Sequence, residues 1–375
     1  MSAGWTVQSN LPVSFTIKTV KNILDPNNNS LLELGDSSRR LLFVDSEVFS
    51  HFGKKIHLYF SHNNIEAKIV PIDISEEKKD IETLMFILNT IENFGLLRRN
   101  EPIICMGGGV LLDIVGFASN LFRRSVPYIK VPTTLLAIVD ASIGVKTSIN
   151  HFGRRNRLGT YYAPQGVYLD KAFLETVPPQ EIHQAMGEII KIAVIKNTKL
   201  LSLLETHAPQ VIKEKFLVDG PADKIISHAI HDMIQELQPD LLEKNLERVV
   251  DFGHSFSPLV EMNSLKDSTV PSLSHGQAVT LDIIFSSCLS YNRGLLSKES
   301  LNRIIELCQM CNLSVTHPYF KNVLMLWESL LDTTKHRNGN QNLPIPNRLG
   351  SCVFINDVTL PEMHDVVGVF EKFTE

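Results

Sequence analysis

The apolar pattern changes character once along this chain, at Pro178-Pro179, and that change limits what it can fold into. Before it, short apolar runs alternate with amphipathic stretches. Residues 41–45 (LLFVD), 102–106 (PIICM) and 128–131 (YIKV) read as buried strands, and residues 80–93 carry Ile81, Leu84, Met85, Ile87, Leu88 and Ile91 at helical spacing. Strands alternating with helices imply a wound, parallel sheet. From Gln180 onward the periodicity is almost wholly helical, over residues 181–195, 199–204, 223–235, 276–292 and 298–311. The expected architecture is α/β plus all-α: a wound α/β domain over residues 1–178 and an all-helical one over residues 179–375. A chain of 375 residues suits two cores, because single cores stop growing near about 250–300 residues.

Charge and cysteine usage exclude several classes of partner. A net charge of −5 with a pI of 6.2 gives no support for nucleic-acid binding, which needs a basic face. Arg154, Arg155 and Arg157 are too few to make one. No apolar run approaches a membrane span, and the first residues lack a secretory pattern. Five cysteines, an odd number, argue against a disulfide framework. The expected compartment is a reducing cytoplasm. Cys308 and Cys311 form a lone CxxC on a helical pattern and read as buried thiols, while His228 and His231 share a face with isoleucines and read as packing.

Three stretches carry candidate chemistry. Gly107-Gly108-Gly109 follows a strand and leads into a helical pattern over residues 110–121, with Asp113 one turn in. Glycines there let a backbone approach a diphosphate, and the helix N-terminus offers free N–H groups; a plain tight turn has the same look. Thr133 and Thr134 follow the next strand. Asp140, Lys146, Asn150, Arg155 and Asn156 then lie in an irregular stretch among Leu135, Ile138, Val139, Ile143, Val145 and Ile149. Polar groups embedded in apolar sequence suggest a partly buried site. Glu188 and Lys191 share one face of a helix, and His254 and His275 each stand beside a glycine. Alone, such residues are more often surface or packing groups.

The segments GGGVLLDIVGFAS, VPTTLLAIVDASIGVKTSIN, NRLGTYYAP, VYLDKAFLETVP, GEIIK, DFGHSFSP and SHGQAV resemble the dehydroquinate synthase superfamily of sugar phosphate cyclases in order and spacing, over about residues 40–290. The resemblance implies an N-terminal NAD-binding domain and a C-terminal metal- and substrate-binding domain. It implies a divalent metal, zinc or cobalt, on Glu188, His254 and His275. Gly107, Gly108, Gly109, Asp113, Thr133 and Thr134 would meet the NAD diphosphate, Asp45, Glu76 and Lys79 the adenosine and ribose, and Phe173 and Thr176 the nicotinamide side. Glu47 stands where the family more often has asparagine.

Asp140, Lys146, Asn156, Lys191 and His254 match catalytic positions, and Arg155 fills a place often held by lysine. Lys335 matches a lysine near the substrate phosphate. Arg124 resembles an arginine donated to the neighbouring subunit's phosphate pocket, which implies a homodimer. The implied chemistry is transient oxidation of a sugar phosphate by NAD, loss of phosphate, re-reduction, ring opening and aldol closure, with no net redox change. A non-catalytic NAD-binding regulator would not explain Glu188, Lys191, His254 and His275 beside Asp140 and Lys146.

Four positions that serve a carboxylated substrate in dehydroquinate synthase as lysine, arginine, asparagine and histidine stand here as Met233, Glu247, Asp251 and Pro258. Arg248 lies one residue out of register with the arginine. A desolvated carboxylate would lack its partners, whereas Asp251 can accept bonds from hydroxyls. These residues resemble the branch acting on sedoheptulose 7-phosphate, and the implied product is 2-epi-5-epi-valiolone. 2-Epi-valiolone and desmethyl-4-deoxygadusol remain rival products, then dehydroquinate. A metal-dependent polyol dehydrogenase, which typically adds an aspartate and a third histidine ligand, is the rival from another class.

Overall fold

The computed structural model describes residues 4–9, 11–35 and 37–374. Its first half is a six-stranded parallel sheet in the order β1-β8-β5-β4-β2-β3. The strands are β1 (Thr16–Thr19), β2 (Arg39–Asp45), β3 (Glu66–Ile72), β4 (Ile103–Gly107), β5 (Tyr128–Pro132) and β8 (Gly166–Leu169). Helices α1 (Ser46–His62), α2 (Ile81–Phe94) and α3 (Gly109–Leu121) cover it. Periodicity finds the buried strands β2, β4 and β5 but not β1, β3 or β8. β1 is exposed at the sheet edge, β3 (EAKIVPI) alternates polar with apolar residues, and β8 is only four residues long.

The stretch expected to be irregular is in large part an antiparallel hairpin. Strands β6 (Lys146–His151) and β7 (Arg154–Tyr161) pair with Lys146 opposite Tyr161, and Asp140 sits just before them in a single wide helical turn, Ala137–Ala141. Cross-strand pairing fixes Lys146. Asn156 lies in the hairpin's irregular part, with a φ of 50°. It is held by Asn150 Oδ1 on its N–H and by Lys79 and Ser148 on its Oδ1.

The second half is built from α4 (Pro179–Lys196), α5 (Thr198–Lys213), α6 (Pro221–Leu237), α7 (Ser257–Ser264), α8 (His275–Asn292), α9 (Lys298–Met310), α10 (Val323–Thr334) and α11 (Leu360–Thr374). It is helical but not wholly so. Strands β9 (Leu343–Arg348) and β10 (Ser351–Ile355) form a hairpin against α8. Pro344 and Pro346 hide β9 from a sequence reading, yet a strand with one partner keeps an edge where a missing N–H breaks no ladder bond. Among the described residues no helix is long and apolar enough to cross a membrane.

α4 and α8 cross at glycine. A Cβ on Gly276 would lie 1.9 Å from the Gln184 carbonyl oxygen, and one on Gly187 would lie 2.5 Å from that of Gly276. The neighbours of these glycines in sequence are Glu188 and His275, so the close approach of two backbones is what brings those side chains together. Gly276→Ala is expected to lower the unfolding free energy by about 3 kcal/mol and to weaken metal binding, measured by urea titration and calorimetry. Gly368→Ala on α11, where a Cβ meets nothing within 4 Å, is the control and should stabilise by roughly 0.5–1 kcal/mol.

Candidate active site and nucleotide cleft

The chain leaves β2 to pair on one side and returns past it to β4, so β2 and β4 flank the topological switch point of the sheet, where α/β folds place ligands. A cleft of about 720 Å³ opens there, lined by Asp45 at the end of β2, by Gly108 and Gly109 at the start of α3, and by Glu76, Thr133, Thr134 and Thr176. Gly108 caps α3 with no side-chain bond to its first turn, so the helix N-terminus faces the cleft through glycine. Gly107 lies beneath, where a Cβ would strike Leu111 at 2.8 Å. This is the geometry of a phosphate-binding turn.

A second cavity of about 300 Å³ lies between the two halves and collects Asp113, Asp140, Lys146, Asn156, Lys191, Met233, Glu243, Arg248, Asp251, His254 and His275. Lys79, 4% exposed, marks its border with the nucleotide side: its ammonium donates to Asp113 Oδ2 and to Asn156 Oδ1, each at 2.6 Å. Asp113 thus faces the second cavity rather than the nucleotide cleft.

At the base of this cavity Glu188 is 2% exposed. Its Oε2 lies 2.5 Å from Lys191 Nζ. Its Oε1 lies 3.5 Å from His254 Nε2 and 3.3 Å from His275 Nε2, and neither carboxylate oxygen makes a hydrogen bond of good geometry. Ligand atoms of the three residues all lie within 4.8 Å of one another. An ion held at about 2.0–2.1 Å by tetrahedral ligands sets their separations near roughly 3.4 Å. The set fits a divalent metal, which would take up a Glu188 oxygen left without a hydrogen bond.

Electrostatics agree with that fit. Burial pushes the Glu188 carboxyl up, but Lys191, His254 and His275 outweigh it and hold it well below the carboxylate range. Burial lowers His254 to about 4, leaving a neutral imidazole near pH 7. Burial works against charge on His275 too, but hydrogen bonds to Glu188 and Glu261 raise it to about 10, so a metal there would displace a proton. Asp140 is raised, by burial first and then by the Glu188 carboxylate.

Several expected residues lie elsewhere. Phe173 is buried edge-on against Phe52, with ring centroids 5.0 Å apart, and does not wall the nucleotide cleft; packing claims it. Pro258 is exposed at the first turn of α7. Lys335 is exposed and paired with Asp332 at 2.8 Å. Arg155 lies outside the second cavity, clamped between Glu76 and Glu261. Arg124 is exposed on a turn and lines neither cavity of its own chain.

The register question at Arg248 has a clear answer. Arg248 lines the second cavity and Glu247 does not; Glu247 faces an adjoining pocket. The arginine is therefore present, paired with Glu243 at 2.8 Å and Asp251 at 3.4 Å. These carboxylates also face Lys146 at 2.5 Å and Arg337 at 3.7 Å, so each of these cations already has a carboxylate.

Sequence reading missed the groups that orient the site. Asp282, fully buried, accepts from the N–H groups of Ser255, Phe256 and Ser257 at 2.6–2.9 Å and so fixes the turn after His254. Lys130, also fully buried, donates to the carbonyls of Ala141 and Gly144 at 3.2 and 3.1 Å and ties down the Asp140 turn. The available signal was a charged residue inside an apolar run, as in YIKV.

Residues 69–184 match the family model described as 3-dehydroquinate synthase N-terminal, and residues 185–336 match 3-dehydroquinate synthase C-terminal. The chain belongs to the 3-dehydroquinate synthase family. Within that family it is 39% identical to a 2-epi-5-epi-valiolone synthase of an Actinomyces species, covering 100% of this chain and 99% of the relative. It is 34% identical to a demethyl-4-deoxygadusol synthase of Trichormus variabilis, covering 94% and 86%. The solved 2-epi-5-epi-valiolone synthase of Streptomyces hygroscopicus subsp. jinggangensis, with NAD+ and Zn2+ bound, superposes with a TM-score of 0.92 at 37% identity, covering 98% of this chain and 99% of that one. The chain is thus an enzyme of the sugar phosphate cyclase group of the 3-dehydroquinate synthase family.

Two predictions follow from this geometry. Zn2+ at about a hundred times its dissociation constant should add about 2.7 kcal/mol to the stability of the native chain; Glu188→Gln should remove that gain in thermal melts. Burial lowers the Lys130 pKa from 10.5 to about 8. Between those values the unfolded chain binds more protons, so this residue makes stability rise with pH from about 8 to about 10.5. Lys130→Met should flatten that rise relative to the native chain, read from urea midpoints across the window.

Proposed function

We propose that this enzyme converts sedoheptulose 7-phosphate to 2-epi-5-epi-valiolone and inorganic phosphate, as a carbon–oxygen lyase that uses NAD and a divalent metal, zinc or cobalt. The observation that carries this reading is the Glu243–Arg248–Asp251 cluster. A carboxylated substrate needs a free cation, and here the cavity's arginine is already paired with two carboxylates. Asp251 lines the cavity with acceptor oxygens that suit the hydroxyls of a neutral polyol. The curated relatives named for the valiolone product, similar over nearly their whole length, support the same choice.

When bound, the metal supplies a Lewis acid and the dinucleotide a hydride acceptor that returns the hydride in the same turnover. Glu188, His254 and His275 would hold the ion, and the turn at Gly107, Gly108 and Gly109, with Asp45, Glu76, Thr133, Thr134 and Thr176, the dinucleotide. Asp140, which lines the cavity and whose pKa burial raises, can accept a substrate hydroxyl proton. Lys191 stays charged, because Glu188 and Asp140 outweigh the burial that opposes its charge; with Lys146 and Asn156 it steadies developing negative charge. Met233 and Asp251 bound the polyol end. In this reading residues 1–178 and 179–375 are the two functional domains, the enzyme works in the cytoplasm as a homodimer, and Arg124 reaches the partner's substrate phosphate.

Incubation with sedoheptulose 7-phosphate, NAD+ and Zn2+ should release one phosphate per cyclitol with no net NADH, and NMR should identify 2-epi-5-epi-valiolone. Finding 2-epi-valiolone would correct the isomer alone. Sustained NADH production would instead make it a polyol dehydrogenase, and turnover of the carboxylated dehydroquinate synthase substrate would overturn the argument from Arg248.

A further inference from the structure

A chain of charged groups runs from the metal triad to the nucleotide cleft, and no step of the proposed reaction uses its members Glu261 and Arg155. It begins at Glu261 on α7, 3% exposed. One oxygen of Glu261, Oε2, faces Nδ1 of His275 at 3.2 Å; the other, Oε1, takes Nη1 of Arg155. Arg155 belongs to the β6–β7 hairpin of the first half, so this ion pair crosses between the halves. Its Nε reaches Glu76 Oε1 at 3.1 Å. That same oxygen accepts from Asn150 Nδ2 at 2.7 Å, and Glu76 lines the nucleotide cleft.

The roles are fixed by atom. Donation from Nδ1–H to Glu261 Oε2 directs Nε2 of His275 toward Glu188. A planar guanidinium can serve two carboxylates through different nitrogens at once, which a lysine ammonium does not do with the same geometry. Glu261 is therefore spoken for on both oxygens, and moving either partner moves the other.

We propose that Glu261, Arg155 and Glu76 form a strut that couples metal binding to dinucleotide binding, each ligand fixing one end and so reducing the ordering cost of the other. The proposal rests on the reading above that the triad takes a divalent ion and the cleft takes NAD. The three are positioning residues, not groups that touch reacting atoms.

The test is NAD+ affinity measured by calorimetry with and without Zn2+, together with the visible spectrum of the Co2+ form. In the native chain Zn2+ should tighten NAD+ about fivefold or more. Arg155→Ala should still bind both ligands but lose that linkage, and Arg155→Lys should recover only part of it. Glu261→Gln should weaken the metal by roughly 10–100-fold and alter the Co2+ spectrum. Arg154→Ala, which removes the exposed neighbouring pair with Asp332, should leave the linkage intact, and far-UV circular dichroism checks that each variant folds. Native protein that binds both ligands without linkage, Arg155→Ala that keeps the full linkage, or equal loss in Arg154→Ala overturns the strut. Native protein that binds neither ligand overturns the functional reading itself.

Discussion

The structure turns on one buried charge. Glu188 lies 2% exposed between two halves of the chain, where an unpaired carboxylate would cost several kcal/mol at least. Lys191 lies in ion-pair contact with one oxygen, and the other faces two imidazoles and whatever cation they would share. Much of the second half can be understood as the scaffold for that arrangement. α4 carries the carboxylate and the lysine, α8 brings His275 across a glycine contact too tight for any Cβ, and Asp282 gathers three backbone N–H groups to hold the turn that presents His254.

The first half contributes a different physics. Its sheet reverses order at β2 and β4, and the reversal opens a cleft into which an uncapped helix N-terminus points. The hairpin β6–β7 then leans toward the second half and carries Lys146, Arg155 and Asn156 to the boundary. Lys79 and Arg155, both paired with carboxylates, stand between the two cavities. The neighbouring cavities are thereby separate in lining but joined by ion pairs.

The proposal of a polyol substrate rests on cations that already have carboxylate partners. Comparison of residue types alone suggested that an arginine had been lost at Glu247. The structure places Arg248, the next residue, in the cavity beside Glu243 and Asp251. The conclusion about the substrate survives, but for a different reason: the cation is present and unavailable.

The sequence by itself determined the fold class, the glycine turn and the helix bearing Glu188 and Lys191, while His254 and His275 became ligand candidates only through the family resemblance. These are local signals: buried strands are continuous apolar runs, helices repeat every 3.6 residues, and motif residues keep their order. It missed exposed or short strands such as β1 and β8, and the proline-bearing β9, because their local pattern is weak or contradicted. Tertiary structure alone decided which side chains meet. Phe173, Pro258 and Lys335 went to packing or to surface pairs, while Glu261, Glu243, Asp282 and Lys130 entered the site without any motif to announce them. Their roles depend on distances between residues far apart in the chain, set by helix crossings and strand pairing, and no periodicity encodes those distances.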